Sequence, residues 1–153
     1  MRVIVAVVGK PRNAALAAAI AEYETRAARY WPLDVHEVRE ERAGSLTSAI
    51  VRSREGERLM ESAGGARMVA CSEGGKTFSS ELFSEWLQRE RDAARDVAFV
   101  IGGAYGLSDE LLSRSSLKLS LAPWTLPHEL ARLVLAEQLY RAGSIVRGEP
   151  YHK

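Results

Sequence analysis

The stretch Val97-Ala98-Phe99-Val100-Ile101-Gly102-Gly103-Ala104-Tyr105-Gly106-Leu107 decides the class of the fold. Five apolar residues, rich in β-branched and aromatic side chains, stop abruptly at a glycine pair. A strand covered on both faces reads this way, because it has no polar side to turn to water. Ser108-Asp109-Glu110 then opens a short helix, with a capping hydroxyl ahead of two acids at the positive end of the helix dipole. Strand, glycine loop and helix make half of a parallel βαβ unit, and the chain repeats that alternation on both sides of it.

Upstream, Val3 to Val8 is a second continuous apolar run, closed by Gly9 and Pro11. Asn13 to Tyr30 follows as an alanine-rich helix with Leu16, Ile20, Tyr23 and Ala27 at three- and four-residue spacing, stopped by Pro32. Leu33 to Val38 alternates apolar and polar side chains, which suits an edge strand. Ser45 or Thr47 caps the next helix, which carries Ile50, Val51, Leu59 and Met60 and breaks at Gly64-Gly65. Arg67 to Cys71 reads as a strand, Ser72-Glu73-Gly74-Gly75-Lys76 as a loop, and Ser80 to Ala94 as a helix whose face is Leu82, Phe83, Trp86 and Leu87. Downstream, Leu117 to Leu121 is a short strand, and Ala122 to Pro127 is too rich in proline to continue it. A long helix runs from Pro127 to Ala142 on Leu130, Val134, Leu135, Leu139 and Tyr140; Gly143 ends it, and Ser144 to Lys153 is a polar tail. The expectation is an α/β fold, a mostly parallel sheet with helices on both faces, forming one domain over residues 1–153.

Composition narrows the function classes. With 153 residues, of which 46% are hydrophobic, and a single cysteine, the chain can bury a core and holds no internal disulfide. The apolar runs fall far short of the roughly 20 residues a membrane helix needs, and no leader pattern opens the chain, so a cytoplasmic protein without a membrane partner is expected. No metal is expected. The net charge of +1 hides an uneven distribution: residues 111–153 hold six basic against three acidic side chains, and residues 61–110 five against nine. The basic C-terminal segment permits a phosphate-bearing partner without demanding one.

In open α/β sheets ligands sit outside the carboxyl ends of the strands, which points to the loops after Cys71, Ile101 and Leu121. A dinucleotide-binding reading fails, because the glycines follow the fourth strand and Leu111 to His128 holds no acid for a ribose. Gly74-Gly75-Lys76-Thr77 resembles only the tail of a P-loop. Gly102-Gly103-x-x-Gly106 instead lets backbone approach a ligand and presents free amides.

Four motifs in order, Val100 to Leu107, Leu121 to Leu126 with Pro127-His128, Glu137 to Ala142, and Arg147-Gly148-Glu149-Pro150-Tyr151-His152-Lys153, resemble the ribosomal large-subunit methyltransferase H family, of the SPOUT class. The resemblance runs from the Val3 strand to Lys153. It implies a homodimer with a trefoil-knotted C-terminal region that methylates N3 of a pseudouridine in 23S ribosomal RNA, in the intersubunit hairpin near the decoding centre. The methyl donor it implies is S-adenosylmethionine, with Cys71, Gly102, Gly103 and the run Leu121, Ala122, Pro123, Trp124, Thr125 and Leu126 lining the cofactor. Cys71 departs from the leucine usual at that position; it is small and apolar enough to wall an adenine and is expected to be unreactive. Transfer RNA as substrate, or docking on the ribosome without catalysis, are the other readings.

Methyl transfer from a sulfonium needs no covalent enzyme intermediate, so positioning carries the rate and no nucleophilic triad is required. The acceptor imide must lose a proton, which calls for a base or a stabilising cation. The candidates are His128 at the start of the last helix, Arg141 near its other end, and Tyr151 and His152 in the tail. Each has a plainer reading: His128 as a helix-start residue bonded to backbone, Arg141 as a cation favoured by the helix dipole, and the tail as a frayed end. The family match favours a tail folded over a cofactor cleft, its own or a partner subunit's, where Tyr151 stacks on a base and His152 accepts the proton. Glu137 is assigned to structure, Trp31 and Trp86 to packing, Trp124 to ligand contact, and His36 to the surface.

Overall fold

The computed structural model describes residues 1–153. Five strands, β1 (Val3–Val8), β2 (Leu33–Val38), β3 (Arg67–Thr77), β4 (Val97–Ile101) and β5 (Leu117–Ser120), form one sheet in the order β2-β1-β4-β3-β5. Every pairing is parallel. The helices α1 (Ala14–Ala27), α2 (Ser48–Ala63), α3 (Ser80–Asp92) and α4 (Asp109–Arg114) join successive strands, and α5 (His128–Val146) follows the last.

Position in the sheet explains the sequence pattern. β1 and β4 pair at the centre and are buried at every residue, which is why both are unbroken apolar runs. β2 pairs only with β1, and its alternation marks the edge. Because side chains alternate along a strand, Val3, Val5 and Val7 enter one core with Trp31, Leu87, Leu135 and Leu139, while Ile4, Ala6 and Val8 enter the other with Leu59, Ala63 and Leu111. The first core lies under α1, α3 and α5, the second under α2 and α4. Passing from β4 to β5 the chain skips β3 on the α4 side, and α5 returns on the opposite side; this course is consistent with the knotted C-terminal region that the resemblance implies.

Local signals act as read at most helix starts. Asn13, Thr47, Ser79 and Ser108 each accept an amide from the first turn, and Thr47 rather than Ser45 caps α2. Three expectations are corrected. The segment Ser72–Lys76 is strand rather than simple loop: Cys71 pairs with Leu119, the next four residues bulge away, and Lys76 returns to the same Leu119. Gly75 permits that return, since a Cβ there would stand 2.6 Å from the Lys118 carbonyl carbon. Helix α3 stops at Asp92, with Ala94 at φ 52°, and Leu82 turns outward at 49% exposure instead of joining Phe83, Trp86 and Leu87 in the core. Finally, Gly143 lies inside α5, which runs on to Val146 before Gly148 turns the chain at φ 65°. Its missing side chain serves packing, because the ring of Tyr30 occupies the space where a Cβ would sit.

Candidate active site

The carboxyl ends of β3, β4 and β5 open onto a cleft of about 710 Å³, within the size range of small-molecule sites. Cys71 reaches it from β3, Gly102 and Gly103 from the loop after β4, and Leu121, Ala122, Trp124, Thr125 and Leu126 from the loop after β5. His128, the first residue of α5, closes it. Three loops far apart in sequence thus converge as expected from the strand ends. Pro123 belongs to the same loop but does not line the cleft.

Hydrocarbon and backbone make much of the lining, together with the side chains of Arg52, Glu73, Asp109 and His128. Ile101, Leu107, Leu112, Leu121 and Leu126 supply hydrocarbon, while the glycine turn is closed by Gly106 N–H donating to the Gly103 carbonyl at 3.0 Å. The Ala104 and Tyr105 amides inside that turn donate to no group of the chain. Glu73 accepts from the Thr125 hydroxyl and so ties the β3 bulge to the β5 loop across the mouth. Tyr105 (46% exposed) and Trp124 (78%) leave two aromatic faces at the rim, so Trp124 is neither core nor packed. Burial of the Cys71 thiol pushes its pKa up to about 12. Iodoacetamide at pH 8 is therefore expected to modify the folded chain at least about tenfold more slowly than a free thiol, since only thiolate reacts; labelling at the free-thiol rate, followed by mass spectrometry, would contradict the enclosed site.

Three predicted residues gather elsewhere. Arg141 lies 13 residues beyond His128 on α5, about 20 Å along a helix rising 1.5 Å per residue. There its guanidinium bridges to Glu137 at 2.8 Å, sits 4.8 Å over the Tyr151 ring and donates to His152 Nδ1 at 3.3 Å. That bond makes Nδ1 an acceptor and leaves the proton on Nε2, which donates to Glu81 Oε1 at 2.8 Å. Glu81 is held down at about 2 by its own backbone amide, the Ser79 hydroxyl and His152, so it is ionised throughout the neutral range. Tyr151 donates to Glu137 Oε1 at 3.0 Å, and burial with its Tyr23 and Glu137 hydrogen bonds pushes its phenol far above neutrality. The tail is therefore tied down, through Tyr30 with Glu149 as well, rather than frayed. Glu137 is the hub of the cluster, in keeping with its structural assignment.

The sequence reading missed two residues of α2. Arg52 lines the cleft, and Glu55, 2% exposed, lies behind its floor: a Cβ on Gly103 would meet Glu55 Oε2 at 2.9 Å. The signal was present, because Val51, Glu55 and Leu59 recur every four residues, which places the acid on the helix's apolar stripe. Burial raises the Glu55 pKa, against the Glu41 amide that its Oε1 accepts at 3.0 Å.

Comparison with known proteins fits this geometry. A family model described as "Predicted SPOUT methyltransferase" matches residues 1–152. A Gemmatimonas aurantiaca protein named ribosomal RNA large subunit methyltransferase H is 59% identical over 154 residues, covering 100% of both chains. The chain belongs to the ribosomal RNA large subunit methyltransferase H family, in the SPOUT class. A Syntrophotalea carbinolica member of that name is 39% identical over 99% of each chain, and one from Anaeromyxobacter is 46% identical over the full length of both. Among solved structures, a probable methylase family protein of Haemophilus influenzae aligns with a TM-score of 0.60 at 14% identity, covering 99% of this chain and 70% of that one. A probable methyltransferase of Bordetella pertussis gives 0.55 at 14% identity over 92% and 95%. These two likenesses concern the fold alone. No helix is long and apolar enough to cross a membrane.

Proposed function

We propose that the chain is an S-adenosylmethionine-dependent methyltransferase that acts on N3 of a pseudouridine in 23S ribosomal RNA, on the assembled ribosome in the cytoplasm, with residues 1–153 working as one SPOUT domain within a homodimer. The observation that carries the reading is the cleft itself, built from the loops at the carboxyl ends of β3, β4 and β5, the latter two belonging to the motifs. Its donor set fits the cofactor: hydrocarbon for an adenine and methionine chain, and unpaired amides for polar edges. Cys71, Gly102, Gly103 and the Leu121–Leu126 loop would hold it; Pro123, outside the lining, shapes the loop. The cofactor supplies a methyl group activated on sulfonium sulfur. The relatives' name supports ribosomal RNA as substrate, and the resemblance of the Arg147–Lys153 tail to that family supports the pseudouridine.

The chain's own residues then orient the acceptor and take its proton. Tyr105 and Trp124 offer faces on which an unstacked base can lie. His128 stands at the cleft, where a proton can be held on its imidazole. Tyr151, His152 and Arg141 lie about 20 Å along α5 from the cleft of their own chain, and this separation supports a dimer in which one copy supplies the cofactor cleft and a second copy supplies the tail. In that arrangement Arg141 positions Tyr151 through its stacking, Tyr151 stays protonated as a donor, and His152, with its Nε2 proton donated to Glu81, accepts the imide proton on Nδ1 once that nitrogen is released from Arg141.

The test is transfer of labelled methyl from S-adenosylmethionine to 70S ribosomes, free 50S subunits and deproteinised 23S RNA, each with and without prior pseudouridine formation. Label that depends on pseudouridine and appears on the 70S particle is the expected result. Label on transfer RNA instead, or cofactor binding without transfer to any ribosomal fraction, would overturn the reading.

A further inference from the structure

Beside the cleft the molecule carries cations that its own acids leave unmatched. The loop between β2 and α2, residues 39–47, holds exposed Arg39 and Arg42, and neither side chain makes an ion pair or hydrogen bond within the chain. The nearby acids are already committed. Glu41 is taken by Arg54 and Arg58, and Glu40 by Arg12. Arg52, one turn into α2, is also unpaired and reaches the cleft wall. Several other cations of the chain are neutralised in pairs, as with Arg132 between Glu24 and Glu37 or Arg67 and Arg95 on Glu90, and unpaired ones such as Arg29 and Arg89 lie away from the cleft.

This loop is also fixed in place. Arg58 donates to the Arg39 carbonyl at 2.9 Å, and buried Glu55 accepts the Glu41 amide on Oε1 while its other carboxylate oxygen, without a hydrogen-bond partner, abuts Gly103. One side chain therefore hydrogen-bonds the cationic loop and packs beside the glycine turn of the cleft. β2 and β4 are separated by β1 alone, so two strand spacings of about 4.8 Å put the loop roughly 10 Å from the cleft. Cations spread over that distance, rather than converged on a point, suit a polyanion and not a single small anion.

We infer that the β2–α2 loop is the phosphate-binding arm for the RNA substrate, with Arg39 and Arg42 gripping the backbone beside the acceptor nucleotide and Arg52 joining that track to the cleft. The inference rests on the RNA methyltransferase reading above. It assigns RNA affinity to Arg39 and Arg42, which neither touch the cofactor cleft nor belong to the motifs, and Glu55 to holding the arm in register with the cleft.

The test is the double substitution Arg39→Gln with Arg42→Gln, compared with Arg29→Gln with Arg89→Gln, which removes the same charge from exposed positions at the opposite end of the sheet. KM for the ribosomal substrate and its dependence on salt are measured for both, with cofactor affinity by calorimetry. Each phosphate contact contributes about 0.7 to 0.9 to the slope of log affinity against log salt. The arm variant is expected to lose about 1.5 units of slope and to raise KM about tenfold or more at 0.15 M salt, with cofactor affinity unchanged; the distal variant should behave as wild type. An arm variant with wild-type KM and salt slope, or a distal variant equally impaired, overturns the inference while leaving the function standing. Absence of methyl transfer by the wild-type chain to any ribosomal RNA overturns the function reading, and the arm with it.

Discussion

Gly102→Ala is expected to lower affinity for S-adenosylmethionine by at least about 100-fold, or about 2.8 kcal/mol at 1.4 kcal/mol per tenfold, while leaving the sheet intact. A Cβ at this position would stand 2.7 Å from both the carbonyl carbon and the oxygen of Gly106, and 3.1 Å from Leu107 Cδ2. Leucine can rotate aside, but backbone cannot. The turn from Gly103 to Gly106 must open, and the unpaired Ala104 and Tyr105 amides move with it. β4 ends at Ile101, so its register with β1 and β3 does not depend on the turn. Calorimetric titration beside a thermal melt separates the effects: wild-type affinity with an unchanged melt would remove the glycine turn from the binding site.

Gly143→Ala carries the largest expected cost to stability. In an ordinary helix interior the change would gain about 1 kcal/mol in propensity. Here a Cβ would fall 2.3 Å from Tyr30 Cγ and 2.5 Å from Tyr30 Cβ. Because Tyr30 Cβ is attached to backbone, no rotamer clears the clash, and the end of α1 must part from α5. Overpacking that forces side chains and backbone to shift costs about 1–3 kcal/mol, so after the propensity gain a net loss of up to about 2 kcal/mol is expected, a sizeable part of the 5–15 kcal/mol that holds a domain folded. Tyr30 also holds Glu149, and that contact keeps the phenol protonated up to about 12. The tail should therefore loosen before the whole chain unfolds. A urea melt reads the first effect and limited proteolysis near residue 149 the second; a raised midpoint would show that the Tyr30 contact is not tight.

These two glycines mark the boundary of what the sequence discloses. Gly102 ends an apolar run and announces itself as a turn. Gly143 also looked like punctuation, because its actual constraint is a ring 113 residues away that no local pattern reports. β1, β2 and β4 were legible to the residue, since burial on two faces or one writes itself directly into side-chain polarity. The β3 bulge was not, because Ser72 to Gly75 leave the sheet and Lys76 rejoins it through backbone pairing. The cleft could be read from strand ends and motifs. That Arg141, Tyr151 and His152 sit away from it depends on the straight length of α5, and the linkage from Glu55 to Gly103 depends on how α2 crosses the sheet.

The central position of β1 has a consequence for synthesis. Its partners are β2, which follows within 30 residues, and β4, whose Val97 pairs with Val3. At about 5–20 residues per second on the ribosome, the second edge of the apolar hexamer Val3–Val8 waits on the order of 5–20 s for its neighbour to be made. During that interval an open, uncharged strand edge is available to any other nascent copy, and parallel pairing between distant segments is intrinsically slow to close. Until residue 101 emerges that edge stays open to wrong association, and a chaperone bound in that interval would shield it.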